Sequence, residues 1–250
     1  MIRVSASGFD ILWSDLGHGR PPAPLHVPSV GETGADRSSI RHAVYDNLAE
    51  RGLFAGGVVD ADLRARLDLL AGASLYVECE AMVDLSDAEP VRAVVAVLGR
   101  EAVLAVQPRQ TIGLAAVSAG EVFDAAVGVL PELEPGPGYG MSLPASLLAG
   151  GGPEDPVYGD ATTRGSRSYE QQVREALAIA ARPVLGAGQF SVRVRDGMRL
   201  RRLGGLSWFV TDVGAYLGAV APGRGGERWM SVAPVDRHRL AARLADLAGD

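Results

Sequence analysis

The sequence predicts an α+β fold, with one antiparallel sheet and helices grouped around it. Three observations carry this. Apolar residues recur at helical spacing from Asp36 to Gly72, and then at every second position from Leu75 to Val83. The connections that follow, Asp84–Pro90 and Gly99–Glu101, are too short for a parallel crossover. The order helix, meander, helix also occurs twice along the chain.

Phe9–Trp13 (FDILW) reads as a short opening strand, followed by a Pro- and Gly-rich loop from Gly17 to Gly34. Asp36 stands where a helix N-cap would. Ile40, Val44, Leu48 and Leu53 form the apolar stripe of that helix, and Gly52 stops it. Asp60 caps a second helix carrying Leu63, Leu67 and Leu70. Leu75 to Val83 alternates and reads as a half-buried strand. Asp84–Pro90 is a polar turn, and strands follow at Val91–Leu98, Ala102–Val106 and Thr111–Val117. A helix from Ala119 to Leu130 ends at Pro131. The stretch from Pro131 to Arg164 is the linker candidate, with a short strand at Met141–Leu143. A helix resumes near Ser168, with Val173, Leu177 and Ile179 or Ala180 facing inward. Strands follow at Gly188–Arg195, Leu200–Leu203, Leu206–Thr211, Ala215–Val220 and Arg228–Val232, and a last helix runs from Val235 to Leu247.

The two halves echo each other. Gly99–Leu130 and Gly214–Leu247 each hold a turn, an apolar strand (AVLAV and AYLGAV), a second strand and an amphipathic helix. The expectation is one domain over 1–250, built of two pseudo-symmetric halves, 1–131 and 165–250, linked by 132–164.

At 250 residues and 47% apolar, the chain can bury a large core. The 24 basic residues are all arginine, which excludes a P-loop lysine, a Schiff base and a lysine general base. One cysteine, Cys79, excludes a disulfide framework. A net charge of −6 argues against nucleic acid and anionic membranes as partners. The first residues do not read as a secretory signal, and no apolar run approaches the length of a membrane span, so a cytoplasmic protein is expected.

Motifs for catalysis are missing. There is no GxSxG, no GxGxxG after a strand and no HExxH, and His18, His26, His42 and His238 are scattered. No catalytic residue, metal or cofactor is expected. Three constellations stand out: Arg193, Arg195, Arg199, Arg201 and Arg202; the carboxylates Asp10, Asp15, Asp84, Asp87 and Glu89; and the aromatics Trp208, Phe209, Tyr216 and Trp229. A solvated strand face, ordinary turns and core packing account for them, against an anion patch, acid–base work and an aromatic partner groove.

An ordered set of segments is recognisable. RHAVYDNLAERGL at Arg41–Leu53, Gly57–Asp60, GREAVLAV at Gly99–Val106, Pro135–Gly138, GAGQF at Gly186–Phe190, Arg195–Gly197, LSWF at Leu206–Phe209, Thr211-Asp212, Gly214, Tyr216-Leu217 and Val232–Pro234 together resemble the EspG family. The glycine-rich Gly150–Pro153 stretch is a local variation. The resemblance implies a cytosolic chaperone of type VII secretion that binds the tip of a PE–PPE heterodimer. It implies a central antiparallel sheet with two helical bundles and a quasi-two-fold repeat. It also implies a recognition loop between early strands, here Asp84, Leu85, Ser86, Asp87, Ala88 and Glu89. The second expected surface is a C-terminal bundle of the Ser168–Ala181 and Val235–Leu247 helices, where small residues such as Ala176, Ala180 and Ala242 leave apolar surface. A homodimer stays open. So do two other classes: a small-ligand enzyme with its site between the halves, and an arginine-rich regulatory domain binding nucleic acid.

Overall fold

A computed structural model of the chain describes residues 1–144, 163–197, 199–222 and 228–249. Twelve strands and six α-helices are described, in the order β1 (Ile2–Ser5), α1 (Ala6–Asp15), α2 (Gly34–Glu50), β2 (Phe54–Ala55), β3 (Val58–Val59), α3 (Ala61–Gly72), β4 (Leu75–Met82), β5 (Val91–Leu98), β6 (Glu101–Gln107), β7 (Thr111–Ser118), α4 (Val122–Val127), β8 (Met141–Pro144), α5 (Thr163–Ala180), β9 (Val184–Asp196), β10 (Arg199–Thr211), β11 (Gly214–Pro222), β12 (Arg228–Pro234) and α6 (Arg237–Ala248). Ten strands form one sheet in the order β1-β7-β6-β5-β4-β9-β10-β11-β12-β8, and β2 and β3 make a separate hairpin. Every pairing in the large sheet is antiparallel. Five strands lie on each side of the β4–β9 contact.

The helices sit where the strands present apolar faces. α1, α2 and α3 cover one face of the first five strands, with Phe9, Leu12, Leu63, Leu67 and Leu70 buried against Tyr76, Val94 and Ala96. On the opposite face α4 and α6 pack together over the β4–β9 contact, burying Val122, Ala126, Leu240 and Leu244 against Val77, Cys79, Phe190 and Val192. α5 lies against β8, Tyr216 and Val232. Strand alternation puts Tyr216 on the face opposite Ala215 and Leu217, which belong to the α4–α6 core. So α5 shares its face with α1–α3, at the far end of the sheet.

Several sequence expectations are corrected. Phe9–Trp13 is not a strand but the body of α1. The Ser5 hydroxyl caps it, accepting from Gly8 N at 3.0 Å, and Phe9, Leu12 and Trp13 line one helical face, all buried. A short apolar run does not reveal its own period. The cap of α2 is Thr33, not Asp36. Asp36 is the third helical residue and returns the bond from its carboxylate, which makes a capping box. β4 is buried on both faces rather than one, because helices cover both sides of it. Leu200–Leu203 and Leu206–Thr211 are a single strand, β10, with a bulge between Arg202 and Gly204. Most of the expected Ala119–Leu130 helix is present, but only as a 3₁₀ turn followed by the short α4.

Other expectations hold. Asp60 caps α3, accepting from Leu63 N at 2.9 Å, and Met141–Pro144 is a strand on the edge of the sheet. Trp208 and Tyr216 are core residues, and Phe209 stacks on Tyr216 at 5.5 Å. The Pro135–Gly138 motif is tied to β11: Ala215 N donates to Glu134 O at 2.7 Å, Gly136 N donates to Ala215 O at 3.1 Å, and the Tyr216 hydroxyl donates to Pro137 O at 3.1 Å. A β-carbon on residue 136 would stand 2.2 Å from Tyr216 Cζ, so only glycine lets the chain pass there. The glycine-rich Gly150–Pro153 stretch lies outside the described residues.

Candidate functional site

The Asp84–Pro90 turn joins β4 to β5. Its shape follows from Asp84, whose Oδ1 accepts from Ser86 N at 2.8 Å and from the Ser86 hydroxyl at 2.7 Å. These two bonds favour the ionised form and hold the Asp84 carboxyl below its ordinary value. Asp84, Leu85, Ser86, Asp87, Ala88 and Glu89 are all exposed. Leu85 N donates to Leu185 O at 3.0 Å, which brings the turn beside the start of β9. Leu85, Val184 and Leu185 are 47%, 42% and 51% exposed, a group of large apolar side chains in water at one end of the sheet.

From that end, an open strip of sheet runs between α1–α3 and α5. Gln189 and Ser207 are cross-strand partners on β9 and β10, and both are exposed in the middle of a ten-stranded sheet. A hollow of about 390 Å³ lies here, bounded by Gln189, Arg202, Gly205, Ser207 and Gly218. Through Gln189 and Arg202 it continues into one of about 270 Å³ beside Pro24, Glu78, Glu80, Ser191 and Arg193. Glu78 and Arg193 lead on to a third, of about 760 Å³, under Pro21 and Pro22. The result is one groove with a polar floor.

The structure divides the arginine cluster. Arg193 and Arg202 are register partners on the groove floor. Arg193 Nε lies 2.9 Å from Glu78 Oε2, and Arg92 Nε lies 3.4 Å from Glu80 Oε1. Arg195 closes the end of α3: its guanidinium donates to Ala73 O at 2.8 Å, and to Ala71 O and the Tyr76 hydroxyl, both at 3.0 Å. Arg201 pairs with Val194 and faces the other way. Burial, the largest influence, pushes the Glu78 carboxyl above its ordinary value, while Arg193 and Arg202 pull it back.

The three alanines are not brought together. Ala176 is 5% exposed, packed under α5 against Tyr216 and Val232. Ala180 is exposed at the end of α5, and Ala242 is exposed on α6, across the sheet. Leu177, expected to face inward, is 50% exposed.

The residues weighed for chemistry are used structurally. Asp10 pairs with Arg37 at 2.6 Å, and Asp15 pairs with Arg41 and accepts from the Tyr45 hydroxyl, so both fasten α1 to α2. His18 lies 3.0 Å from Asp68 and packs on Trp13, while His26, His42 and His238 are exposed. The Cys79 thiol is buried and pushed up to about 12, which leaves it no thiolate at neutral pH. Among the described residues no three His, Cys, Asp or Glu side chains gather as metal ligands. No helix among them is long and apolar enough to cross a membrane.

Sequence reasoning missed Val184, Leu185, Gln189 and Ser207. The signal was faint: Gln189 and Ser207 are single polar residues between apolar or glycine neighbours, on strands that carry several other polar residues.

A broad antiparallel sheet carries helices on both faces and leaves an open polar groove between α1–α3 and α5. The chain belongs to the EspG family, whose model matches residues 5–246. Among solved structures it is similar to the Mycobacterium tuberculosis type VII secretion system chaperone EspG5, solved in complex with the PE25–PPE41 dimer. The TM-score is 0.69 at 14% sequence identity, covering 96% of this chain and 93% of that one. Comparison with the curated proteins found no match by sequence.

Proposed function

We propose that this chain is a cytoplasmic secretion chaperone. It binds the tip of a PE–PPE-type heterodimer, keeps it soluble and delivers it to a type VII secretion system. The observation that carries this is the open strip of sheet between α1–α3 and α5, with Gln189, Arg202 and Ser207 exposed at its centre and Leu85, Val184 and Leu185 at its end. The family membership and a fold shared with a chaperone solved on a PE–PPE dimer support it. The docking surface comprises the Asp84–Glu89 turn, the groove and the exposed end of α5 at Ala180.

The chain acts by binding, not by catalysis. The groove carboxylates Glu78 and Glu80 pair with Arg193 and Arg92, and the one thiol of the chain is buried. The arginine cluster is split between two faces and gives no continuous positive surface for nucleic acid. We also read the chain as one domain with a quasi-two-fold relation between 1–131 and 165–250. The mirrored strand order about β4 and β9 supports that relation.

The test uses purified PE–PPE dimers of the source organism, mixed one at a time with the chain. Co-elution on size exclusion with at least one dimer is expected, together with slowed amide exchange across Val83–Val91. Failure of every dimer to bind would overturn the reading.

A further inference from the structure

The groove floor carries an unmatched positive charge. Its two carboxylates each have an arginine of their own, Glu78 with Arg193 at 2.9 Å and Glu80 with Arg92 at 3.4 Å. A further arginine, Arg202, forms no ion pair among the described residues and lines two of the three hollows of the groove. Arg20 and Arg195, which line the third, form none either, but Arg195 is spent on the end of α3. In a chain of net charge −6, such a surplus on a sheet face is set apart from its surroundings.

Arg202 is also held in place. Its Nε donates to the Ser191 hydroxyl at 3.1 Å. Its Nη2 lies over residue 205, at 2.1 Å from where a β-carbon would be, so glycine there lets the guanidinium rest on the strand. The Nη donors make no hydrogen bond among the described residues. A planar fork, already ordered, with free donors in an open groove is the geometry that receives a carboxylate.

The rest of the floor points the same way. Gln189, Ser191 and Ser207 line it, and a wholly apolar occupant would strip these groups of water without replacing their hydrogen bonds. The apolar contacts of a partner belong instead on Leu85, Val184 and Leu185.

We propose that Arg202 reads an aspartate or glutamate in the client tip, and so sets which client this chaperone accepts. This rests on the chaperone reading above. The surface has two zones, an apolar anchor at the turn and a charge reader on the sheet.

The experiment measures affinity for the purified PE–PPE dimers by calorimetry, for the wild type and for Arg202→Gln, Arg202→Lys and Arg202→Glu, each checked for an unchanged melting temperature. Arg202→Gln should weaken binding about tenfold, Arg202→Glu about a hundredfold, and Arg202→Lys should recover only part of the loss. Each acidic residue of the client tip is then replaced by arginine, and one of these replacements should restore binding to Arg202→Glu. If Arg202→Glu does not fold, Arg202→Gln and its cycle with client Asp→Asn and Glu→Gln variants decide the matter. Wild-type affinity in the folded Arg202 variants would overturn the charge reader and leave the chaperone reading standing. So would a loss that couples to no client carboxylate. If the wild type binds no dimer, both fall.

Discussion

The amide of Leu85 donates to the carbonyl of Leu185 at 3.0 Å, so an exposed leucine of the Asp84–Pro90 turn and one at the start of β9, a hundred residues apart, stand side by side. Each is an unremarkable surface residue alone; together with Val184 they make an apolar cluster of the kind that marks an interaction site.

Leu85→Asp and Leu185→Asp should each lower affinity for the PE–PPE dimer by about tenfold, the loss of one interface anchor. Melting temperatures should stay at the wild-type value, since both side chains are already in water. Titration calorimetry and a thermal melt check the two halves of this prediction. Unchanged affinity in both variants would move the anchor elsewhere.

Ala180→Arg and Ala242→Arg separate the two faces of the sheet. Ala180 is exposed at the end of α5, on the groove side, and Ala242 is exposed on α6, on the other side. The first should weaken client binding and the second should leave it intact, with both proteins folded. Ala176→Arg, by contrast, buries a charge against Tyr216 and should destabilise the protein by more than about 2 kcal/mol in urea denaturation. Equal loss of binding at 180 and 242 would mean that the client reaches α6.

Glu78 gives a pH dependence with a defined sign. Burial raises its carboxyl in the folded state above the ordinary 4.5, so the folded chain holds this proton more tightly than the unfolded one. The stabilisation is therefore complete below the ordinary value and is lost as pH rises through the folded value. Melting temperatures of wild type and Glu78→Gln, compared from pH 4 to 7, should differ most in favour of wild type at the acid end. A difference that grows with pH would show that Arg193 outweighs burial.

Gly136→Ala should destabilise the fold by about 1–3 kcal/mol, because the new methyl meets the Tyr216 ring at 2.2 Å. Tyr216→Phe, which deletes only the bond to Pro137 O, should cost about 1 kcal/mol. Gly218→Ala is the control: its β-carbon would meet Ser207 at 3.9 Å, ordinary contact, and stability should change by less than about 0.5 kcal/mol. Denaturant titration of the three ranks them.

The sequence by itself determined what a few neighbouring residues decide. Asp60 caps its helix because a side-chain oxygen needs only the amide three residues on. The strands from Leu75 to Ser118 form a meander because Gly99–Arg100 and the loops beside it allow nothing longer. The arginine-only composition and the absence of catalytic motifs were equally plain. The tertiary structure decided whatever depends on residues far apart. Phe9–Trp13 became a helix because the sheet and α2 offered a helical face to bury it, and the run alone carried no period. β4 was buried twice over because α6, more than 150 residues later, packs behind it with α4. Arg193 found Glu78 across 115 residues of sequence, while Arg202, nine positions further on, was left in the groove without a carboxylate. Local hydrogen bonds are written in the order of residues; the faces of a ten-stranded sheet exist only once its distant strands have met.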